Sequence, residues 1–319
     1  LLIVCFIVFS LMELVPGTCA ERYLAFKNTQ GSQTTFEDIA AEEKRLGLDK
    51  PFLYRYTKWV SDIVIKQDFG DSCILRISIN ELLSGRFVLS LTIAITALLF
   101  SYAIAIPVGI ISATTKYASL DNALKFISYL GIALPNFLVA LCIMLFMTVY
   151  YGDTMTGLFS QEYENAPWST AKVQDFLSRA WLPIFVLGWN ATAFALQTVR
   201  ALMLDENDKL YVMAARARGV SGMSLLWRYP AKHSLGPVIN SIGFDLNRIF
   251  SALPVVALIL ILTEAGALLI EALARSNDQQ LAGAIIFLLT ATIVFVNFVT
   301  DIILAIMDPR IRKGVMGGS

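Results

Sequence analysis

Long apolar runs alternate with polar segments along this chain. A helix needs about 20 apolar residues to cross the bilayer core, and six runs approach or exceed that length. They are Leu1–Val15, Phe87–Ala113, Leu124–Tyr150, Trp181–Leu204, Val238–Leu262 and Leu281–Met307. The pattern predicts an all-α membrane protein with about six transmembrane helices.

The first of these runs is short for a transmembrane helix. Residues 1–15 extend about 22 Å as an α-helix, whereas the bilayer core is about 30 Å thick. One interpretation is the apolar part of a signal peptide, with Thr18-Cys19-Ala20 as a poor cleavage site. The preferred interpretation is a transmembrane helix that begins before the first residue of this sequence.

The polar segments divide the chain and indicate its orientation. Residues 16–86 are predicted to be extracytoplasmic, residues 87–307 to form the transmembrane core, and residues 308–319 to be a cytoplasmic tail. Short loops rich in Lys and Arg face the cytoplasm. Such residues concentrate in the loop 205–236 and in the tail, and 114–123 holds Lys116. The longer loops 151–180 and 263–280 hold only Lys172 and Arg179, and Arg275. Both termini are therefore predicted to be cytoplasmic.

Composition narrows the range of functions. The chain is 56% hydrophobic and 16% charged, whereas soluble domains carry about 25% charged residues. Its net charge of zero gives no indication of nucleic-acid binding. With one histidine, His233, and no phosphate-binding G-x-x-x-x-G-K-[ST] motif, no catalytic residue, metal site or bound cofactor is predicted. Cys19 and Cys73 share one polar segment and either pair or stay free.

Two charged residues lie in the fifth apolar run. Asp245 and Arg248 together cost about 5–7 kcal/mol at the bilayer centre. Their i, i+3 spacing puts them on one helix face, where they can pair. They either line a substrate path or form an ion pair that packs helices together. Asn136 and Asn190 are further candidates for the path, although intramembrane amides more often join helices.

Titratable groups are missing from the middle of the second, third and fourth runs. No Asp, Glu or His lies deep in Phe87–Ala113, Leu124–Tyr150 or Trp181–Leu204. Proton-coupled carriers usually need a titratable relay inside the membrane. This distribution argues against such a carrier.

The basic stretch from Asp208 to Pro237 is the most informative part of the sequence. It contains Arg216, Arg218, Arg228 and Lys232, so it cannot cross the bilayer. Apolar residues at helical spacing predict a helix here that breaks near Gly219. The helix either docks a cytoplasmic protein or lies on lipid headgroups. Its narrow, alanine-rich apolar face favours docking because it is a poor membrane anchor.

Tyr211–Gly219 resembles the coupling-loop motif of ABC transporter permeases, specifically those of dipeptide and oligopeptide importers. Met213 stands where the general motif has Glu, and Ala214, Ala215 and Gly219 follow. Further similarities occur in the family's order along nearly the whole chain. They are Pro16-Gly17, Leu46–Pro51, Phe69–Ser72, Ile106–Ala113, Asn297, Asp301 and Asp308–Arg312. The ending and Leu46–Pro51 resemble the B-type permease of the pair.

Two segments depart from the family pattern. Tyr229-Pro230 stands where the family usually has His-Ala, and His233 stands near the position of a family Asn. Val255–Gly266 lacks the family's acidic residue and its I-F-x-x-P-G-L-G element, keeping only Gly266. The shape of the outer end of the path is therefore not implied by the resemblance.

The resemblance implies a type I ABC importer permease fold in a bacterial inner membrane. This chain would form half of a channel with a second homologous permease, and two cytoplasmic ATPases would bind ATP and magnesium. An extracytoplasmic binding protein would deliver peptides. The coupling helix, seated on one ATPase, would contain Tyr211, Ala214, Ala215, Arg216, Arg218 and Gly219. The chain itself would catalyse no reaction.

Other functions remain open from the sequence. Related systems carry nickel chelates, glutathione or sugars, so the solute need not be a peptide. A secondary carrier that works without ATP is a second class. A membrane scaffold that recruits a cytoplasmic enzyme is a third.

Overall fold

The computed structural model describes residues 1–29, 35–152, 154–164 and 166–307. Throughout these residues the regular elements are helices, and one isolated β-bridge joins Asp71 to Ser78. The prediction of an all-α fold is confirmed. The ending Asp308–Arg312, which resembles that of the family, and the predicted tail 308–319 lie outside the described residues.

Fourteen α-helices and one π-helix follow one another in the described parts of the chain. They are α1 Leu2–Glu13, α2 Cys19–Thr29, α3 Phe36–Leu46, α4 Phe52–Lys66, α5 Ile79–Thr114, α6 Ala118–Ala133, α7 Asn136–Tyr151, α8 Thr170–Asn207, α9 Leu210–Ala217, α10 Gly222–Arg228, α11 Pro230–Asn240, α12 Ile242–Ile259, α13 Ala265–Ile270, the π-helix Glu271–Ser276 and α14 Gln279–Met307.

Four of the described helices, α5, α8, α12 and α14, are long and apolar enough to cross a membrane. The pair α6 and α7 adds a fifth span if its two bent parts are counted as one. Helix α1 is apolar but has only 12 residues. The six predicted runs therefore all appear as helices, but two of them differ from a single straight span.

The predicted span Leu124–Tyr150 is broken. Helices α6 and α7 meet at an angle of 100°, with Leu134 and Pro135 in extended conformation between them. Proline lacks an N–H and disfavours helical geometry at the residue before it. At Pro135 the predicted span is therefore fully broken.

The predicted span Val238–Leu262 is also divided. Helix α11 ends at Asn240, and α12 begins at Ile242. A close approach at Gly243 brings α12 against α14. A Cβ added to Gly243 would lie 1.5 Å from the amide oxygen of Asn297, so only glycine permits this approach.

The chain forms two compact units. Unit 1 comprises Leu1–Leu91 and Thr263–Thr292, and unit 2 comprises Thr92–Leu262 with the described residues from Ile293.

In unit 1, aromatic side chains join α1 to α4. The centroid of the Phe9 ring lies 5.6 Å from that of Tyr56 and 4.8 Å from that of Trp59. These rings are buried together with Cys5 and Ile63.

A disulfide and a buried carboxylate connect distant parts of unit 1. Cys19 and Cys73 form a disulfide, with their Cα atoms 6.4 Å apart. Of the two possibilities left open by the sequence, paired or free thiols, the structure shows the paired one. Asp278, 2% exposed, accepts hydrogen bonds from the Ser72 hydroxyl and the Cys73 amide, each at 2.8 Å. Asp278 also accepts from the amide of Leu281 at 3.1 Å, and thereby caps α14.

In unit 2, α8 is the central helix and packs along α6, α7, α11 and α12. Small residues allow these close approaches. A Cβ on Gly109 would meet Val199 at 2.8 Å, and one on Gly131 would meet Ala193 at 2.8 Å. Gln197 of α8 donates a hydrogen bond to Ser128 of α6.

Candidate functional site

Helix α9 is a short element that its own neighbours hold in place. Its Val212 and Ala215 are fully buried and pack against Leu225 of α10. Partly buried Val220 and Tyr229 complete this small cluster. The eight residues of α9 are too few for a helix that is stable alone, so packing on α10 stabilises it.

The end of α9 depends on Gly219. Its φ angle is +84°, in the left-handed region, and the next amide, of Val220, bonds back to the carbonyl of Ala215 at 3.2 Å. Left-handed glycines of this kind commonly end helices. A Cβ at Gly219 would meet no atom within 4 Å. Backbone conformation rather than space therefore calls for glycine, and the predicted break at this residue is confirmed.

The outer face of α9 is exposed and mixes apolar with basic side chains. Leu210 is 79% exposed and Met213 is 47% exposed. Ala214, Arg216, Arg218 and Gly219 are exposed as well. Ala215 differs from the other predicted docking residues because it faces inward, so it supports α9 instead of adding to its surface. The docking role of the set stays a prediction.

The exposed surface continues onto α10. Met223 is 65% exposed and Trp227 is 48% exposed. We call Leu210, Met213, Ala214, Met223 and Trp227, with the basic Arg216 and Arg218, the α9–α10 surface. Large apolar side chains left exposed beside basic ones are typical of a protein-binding surface.

Tyr211 joins α9 to two other helices. Its hydroxyl donates a hydrogen bond to the carboxylate of Glu206, at the end of α8. Its ring meets the ring of His233 in α11 edge-on, with centroids 5.1 Å apart. Burial and the Glu206 hydrogen bond raise the pKa of Tyr211, so the phenol stays protonated. Tyr211 therefore connects α9 directly to α8 and α11.

Asp245 and Arg248 form the predicted ion pair. The guanidinium Nη1 lies 3.1 Å from the Asp245 carboxylate. Tyr102 of α5 donates to the same carboxylate at 2.6 Å, and the Arg248 guanidinium lies 3.8 Å from the ring centre of Phe194 in α8. These contacts connect α12 to α5 and α8.

Burial differs within this pair. The Asp245 side chain is 7% exposed, while that of Arg248 is 38% exposed. Asp245 therefore fits the packing interpretation better than the path interpretation. Arg248 retains an accessible surface that a path could use.

The two candidate asparagines lie near the α6–α7 break. Asn190 of α8 donates to the carbonyl of Gly131 at 3.2 Å, so it joins helices, as intramembrane amides often do. Asn136 begins α7, and in the described part of the chain its buried amide oxygen has no hydrogen-bond partner. Their assignment to the path stays a prediction.

Sequence reasoning missed an ionic network that joins α5, α6 and α8. Asp121 accepts from both Arg200 nitrogens Nε and Nη2 at 2.9 Å, from Ser112 at 2.6 Å and lies 3.0 Å from Lys125. The i, i+4 spacing of Asp121 and Lys125 was readable in the sequence. The long-range partner, Arg200, was not.

Glu264 was also missed. It is fully buried, caps α13 by accepting from the amides of Gly266 at 2.8 Å and Ala267 at 3.2 Å, and accepts from the Ser90 hydroxyl. This cap occupies the segment in which the sequence departs from the family pattern. The departing segment therefore folds into an ordered helix start with its own acidic residue.

Within the described residues, no group of three or more His, Cys, Asp or Glu side chains is placed to hold a metal ion.

The model of the family "binding-protein-dependent transport system inner membrane component" matches residues 105–313, which include α9, α10, Asp245 and Arg248. The chain belongs to this family. It is thus an inner-membrane permease component with several membrane spans, and the family implies partnership with an ATPase and a binding protein.

Curated relatives of this permease extend the similarity over almost the whole chain. The oligopeptide transport system permease protein AppB of Bacillus subtilis is 28% identical over 95% of this chain and 92% of its own. The inner membrane ABC transporter permease protein YejB of Escherichia coli O157:H7 is 30% identical over 89% of this chain and 79% of its own.

Solved structures show the fold of this permease. The MetNI methionine ABC transporter in an inward-facing conformation contains a chain that superposes with a TM-score of 0.56 at 16% identity. The match covers 71% of this chain and 96% of that chain. The predicted type I ABC importer permease fold is confirmed, as is the resemblance to ABC permeases.

Proposed function

We propose that this permease forms half of the membrane path of an ATP-driven importer that takes up peptides. The observation that carries the proposal is the exposed, apolar and basic α9–α10 surface, in a chain that belongs to a permease family. Curated relatives along nearly its full length are named as oligopeptide or peptide transport permeases, which supports peptides as the solute.

The proposed assembly contains four further chains. A second homologous permease completes the path, two cytoplasmic ATPases bind ATP and magnesium, and an extracytoplasmic binding protein delivers the peptide. This chain is non-catalytic and binds no cofactor itself. Residues 16–86 and 151–180 would form the outer vestibule and receive the binding protein.

Coupling would start at α9. Closure of the ATPase dimer displaces α9, and Tyr211 transmits this displacement to Glu206 in α8 and to His233 in α11. Helix α8 packs on α6, α7, α11 and α12, so its movement alters the core of unit 2. Such a packed core has discrete arrangements, which suits a switch between inward- and outward-facing states.

We propose that both termini are cytoplasmic and that residues 16–86 are outside. The Cys19–Cys73 disulfide supports this orientation, because such bonds persist mainly in oxidising compartments. The basic loop 205–236 supports it through the positive-inside rule.

Ala214→Trp tests the docking role. Ala214 is exposed and helical, so a bulky side chain there blocks close approach of a partner without disturbing the fold. Tryptophan at Gly219 would be a poorer probe, because the φ angle of +84° would add strain. We expect Ala214→Trp to abolish co-purification of the ATPase and ATP-driven peptide uptake, with normal membrane insertion.

The matched control is Ala274→Trp, the same change at an exposed alanine of unit 1. It should leave both ATPase association and uptake near the parent level. Normal uptake by Ala214→Trp would refute the docking role of α9. Uptake that survives ATP depletion but collapses with the ion gradient would favour a secondary carrier.

A further inference from the structure

Unit 1 contains a cleft of about 450 Å³, within the range of about 300–1,000 Å³ typical of small-molecule sites. Helices α1 and α4 form two of its walls. The segments 14–19, 46–50, 68–73 and 277–280 form the others. We call it the unit 1 cleft. No residue of α9 or α10 lines it, and neither do Tyr102, Asp245 and Arg248.

Two buried polar atoms of lining residues have no hydrogen-bond partner among the residues that the structure describes. Trp59 is 4% exposed and its indole Nε1 is unbonded; Asn277 is 5% exposed and its Oδ1 is unbonded. The Asn277 nitrogen does donate, to the carbonyl of Gly17 at 3.0 Å, which fixes the side chain. Most buried polar groups are hydrogen-bonded, so unpaired ones call for an explanation. Here one donor and one acceptor are left over beside the same cleft.

The cleft is also lined by acidic and basic side chains that form no ion pair among the described residues. Arg55 is already paired with Glu13, and Gln279 bonds to both of them. Four other charged lining residues form no ion pair within 4.0 Å in the described parts of the chain. They are Lys50, Lys58, Asp68 and Asp71.

The walls of the cleft are held rigidly. The disulfided Cys19 and Cys73 both line it. Gly70, with φ of +88°, lies so close to Gln280 that a Cβ would come within 2.5 Å of its amide oxygen. A wall that is fixed before binding costs less to order when a ligand arrives.

We propose that the unit 1 cleft binds a short peptide as a zwitterion. Its carboxylate terminus would be recognised by Lys58 and the indole N–H of Trp59. Its ammonium terminus would be recognised by the Asn277 oxygen and by the carboxylates of Asp71 and Asp68, of which Asp68 already accepts from the Gly70 amide at 2.9 Å. Aromatic Trp59 and Phe69 supply apolar contact between the ends. The choice of peptides among zwitterions rests on the proposed function. The cleft would then be an acceptor site for peptide outside the transport path.

The test is equilibrium binding of trialanine to the purified, full-length permease in nanodiscs, without binding protein. Trialanine with an acetylated amino end and an amidated carboxyl end is the matched ligand control. We expect saturable binding of free trialanine and about tenfold or weaker binding of the capped form, because charge-assisted hydrogen bonds are lost.

Two variants locate the binding. Trp59→Phe replaces the indole by a smaller phenyl ring and so removes the N–H while keeping an aromatic side chain. Lys58→Gln, at an exposed position, guards against a folding defect in the first. Each should weaken trialanine binding by about tenfold. The control Trp168→Phe, at a residue 63% exposed in unit 2, should bind as the parent does. Absence of saturable binding, equal binding of the capped ligand, or unchanged binding by Lys58→Gln would overturn the proposal.

A parallel assay separates this proposal from the transport function. ATP-driven trialanine uptake is measured with the complete complex in liposomes, using the same preparations. Uptake without cleft binding would overturn the site alone and leave peptide import standing. Cleft binding without any peptide uptake would support the site and refute the proposed solute.

Discussion

At the residue scale, Gly219 is required for its backbone conformation alone. Its φ of +84° is unfavourable for other residues, yet a Cβ would meet open space. Gly85 also has open space but lies inside α5 without a positive φ. The two glycines therefore form a matched pair in which backbone conformation is the only difference under test.

We expect Gly219→Ala to destabilise the α9–α10 region by about 1 kcal/mol, because left-handed geometry costs about that much for a side chain. Gly85→Ala should be neutral or stabilising, since alanine is the better helix former by about 1 kcal/mol. Hydrogen exchange at the amides of α9 measures the first, and thermal unfolding measures the second. Equal exchange in Gly219→Ala and the parent would contradict the strain argument.

Asp245 offers a second residue-scale test, between packing and path lining. Asp245→Ala leaves the Tyr102 hydroxyl and the Arg248 guanidinium without their shared partner. We expect a loss of about 2–3 kcal/mol in unfolding free energy, measured by thermal unfolding in detergent. If the variant unfolds like the parent but loses uptake, then Asp245 acts in transport rather than in packing.

At the element scale, the disulfide connects α2 to the loop before α5. It closes a loop of 54 residues, which by the chain-entropy model contributes about 4 kcal/mol. We expect Cys73→Ser to lower the unfolding temperature of unit 1 markedly, and reductant to do the same to the parent. Cys142→Ser, at an exposed free cysteine, is the control and should have little effect. Equal unfolding temperatures for both variants would show that the bond does not stabilise unit 1.

The apolar helices could be predicted from the sequence because most of the apolar runs are long, and length and hydropathy largely decide membrane insertion. Helices α2, α3 and α4 lie in the polar segment 16–86, which was predicted only as extracytoplasmic. Pro135 is a local signal for a bend, but the sequence does not specify the full break. Its size depends on how α6 and α7 each pack on α8, which local sequence does not encode. The helix ending at Gly219 could be predicted because glycine and the preceding periodicity are local signals.

The candidate sites were less predictable where they depend on long-range contacts. Asp245 and Arg248 are three residues apart, so their pairing followed from helix geometry. Tyr102, which binds the same carboxylate, lies 143 positions from Asp245 along the chain. No local sequence pattern indicates this contact. The inward direction of Ala215 depends on the packing of α9 against Leu225, which local periodicity did not specify.

At the scale of the whole molecule, the two units carry different features. Unit 2 contains the α9–α10 surface, which the proposal assigns to coupling. It also contains the contacts among Tyr102, Asp245 and Arg248, which the proposal assigns to the membrane core. Unit 1 contains the disulfide and the unit 1 cleft, which the proposals assign to the outer side. The two proposals thus assign the energy input and the solute input to separate units of one chain.

The most direct test of the account is gentle purification of this permease from native membranes, followed by reconstitution with whatever co-purifies. We expect a second permease and ATPase subunits in the eluate, and peptide uptake into liposomes that requires ATP. Ala214→Trp should lose the ATPase subunits and the uptake together. A permease that purifies without any ATPase under several detergents, or that moves peptide equally well without ATP, would contradict the account.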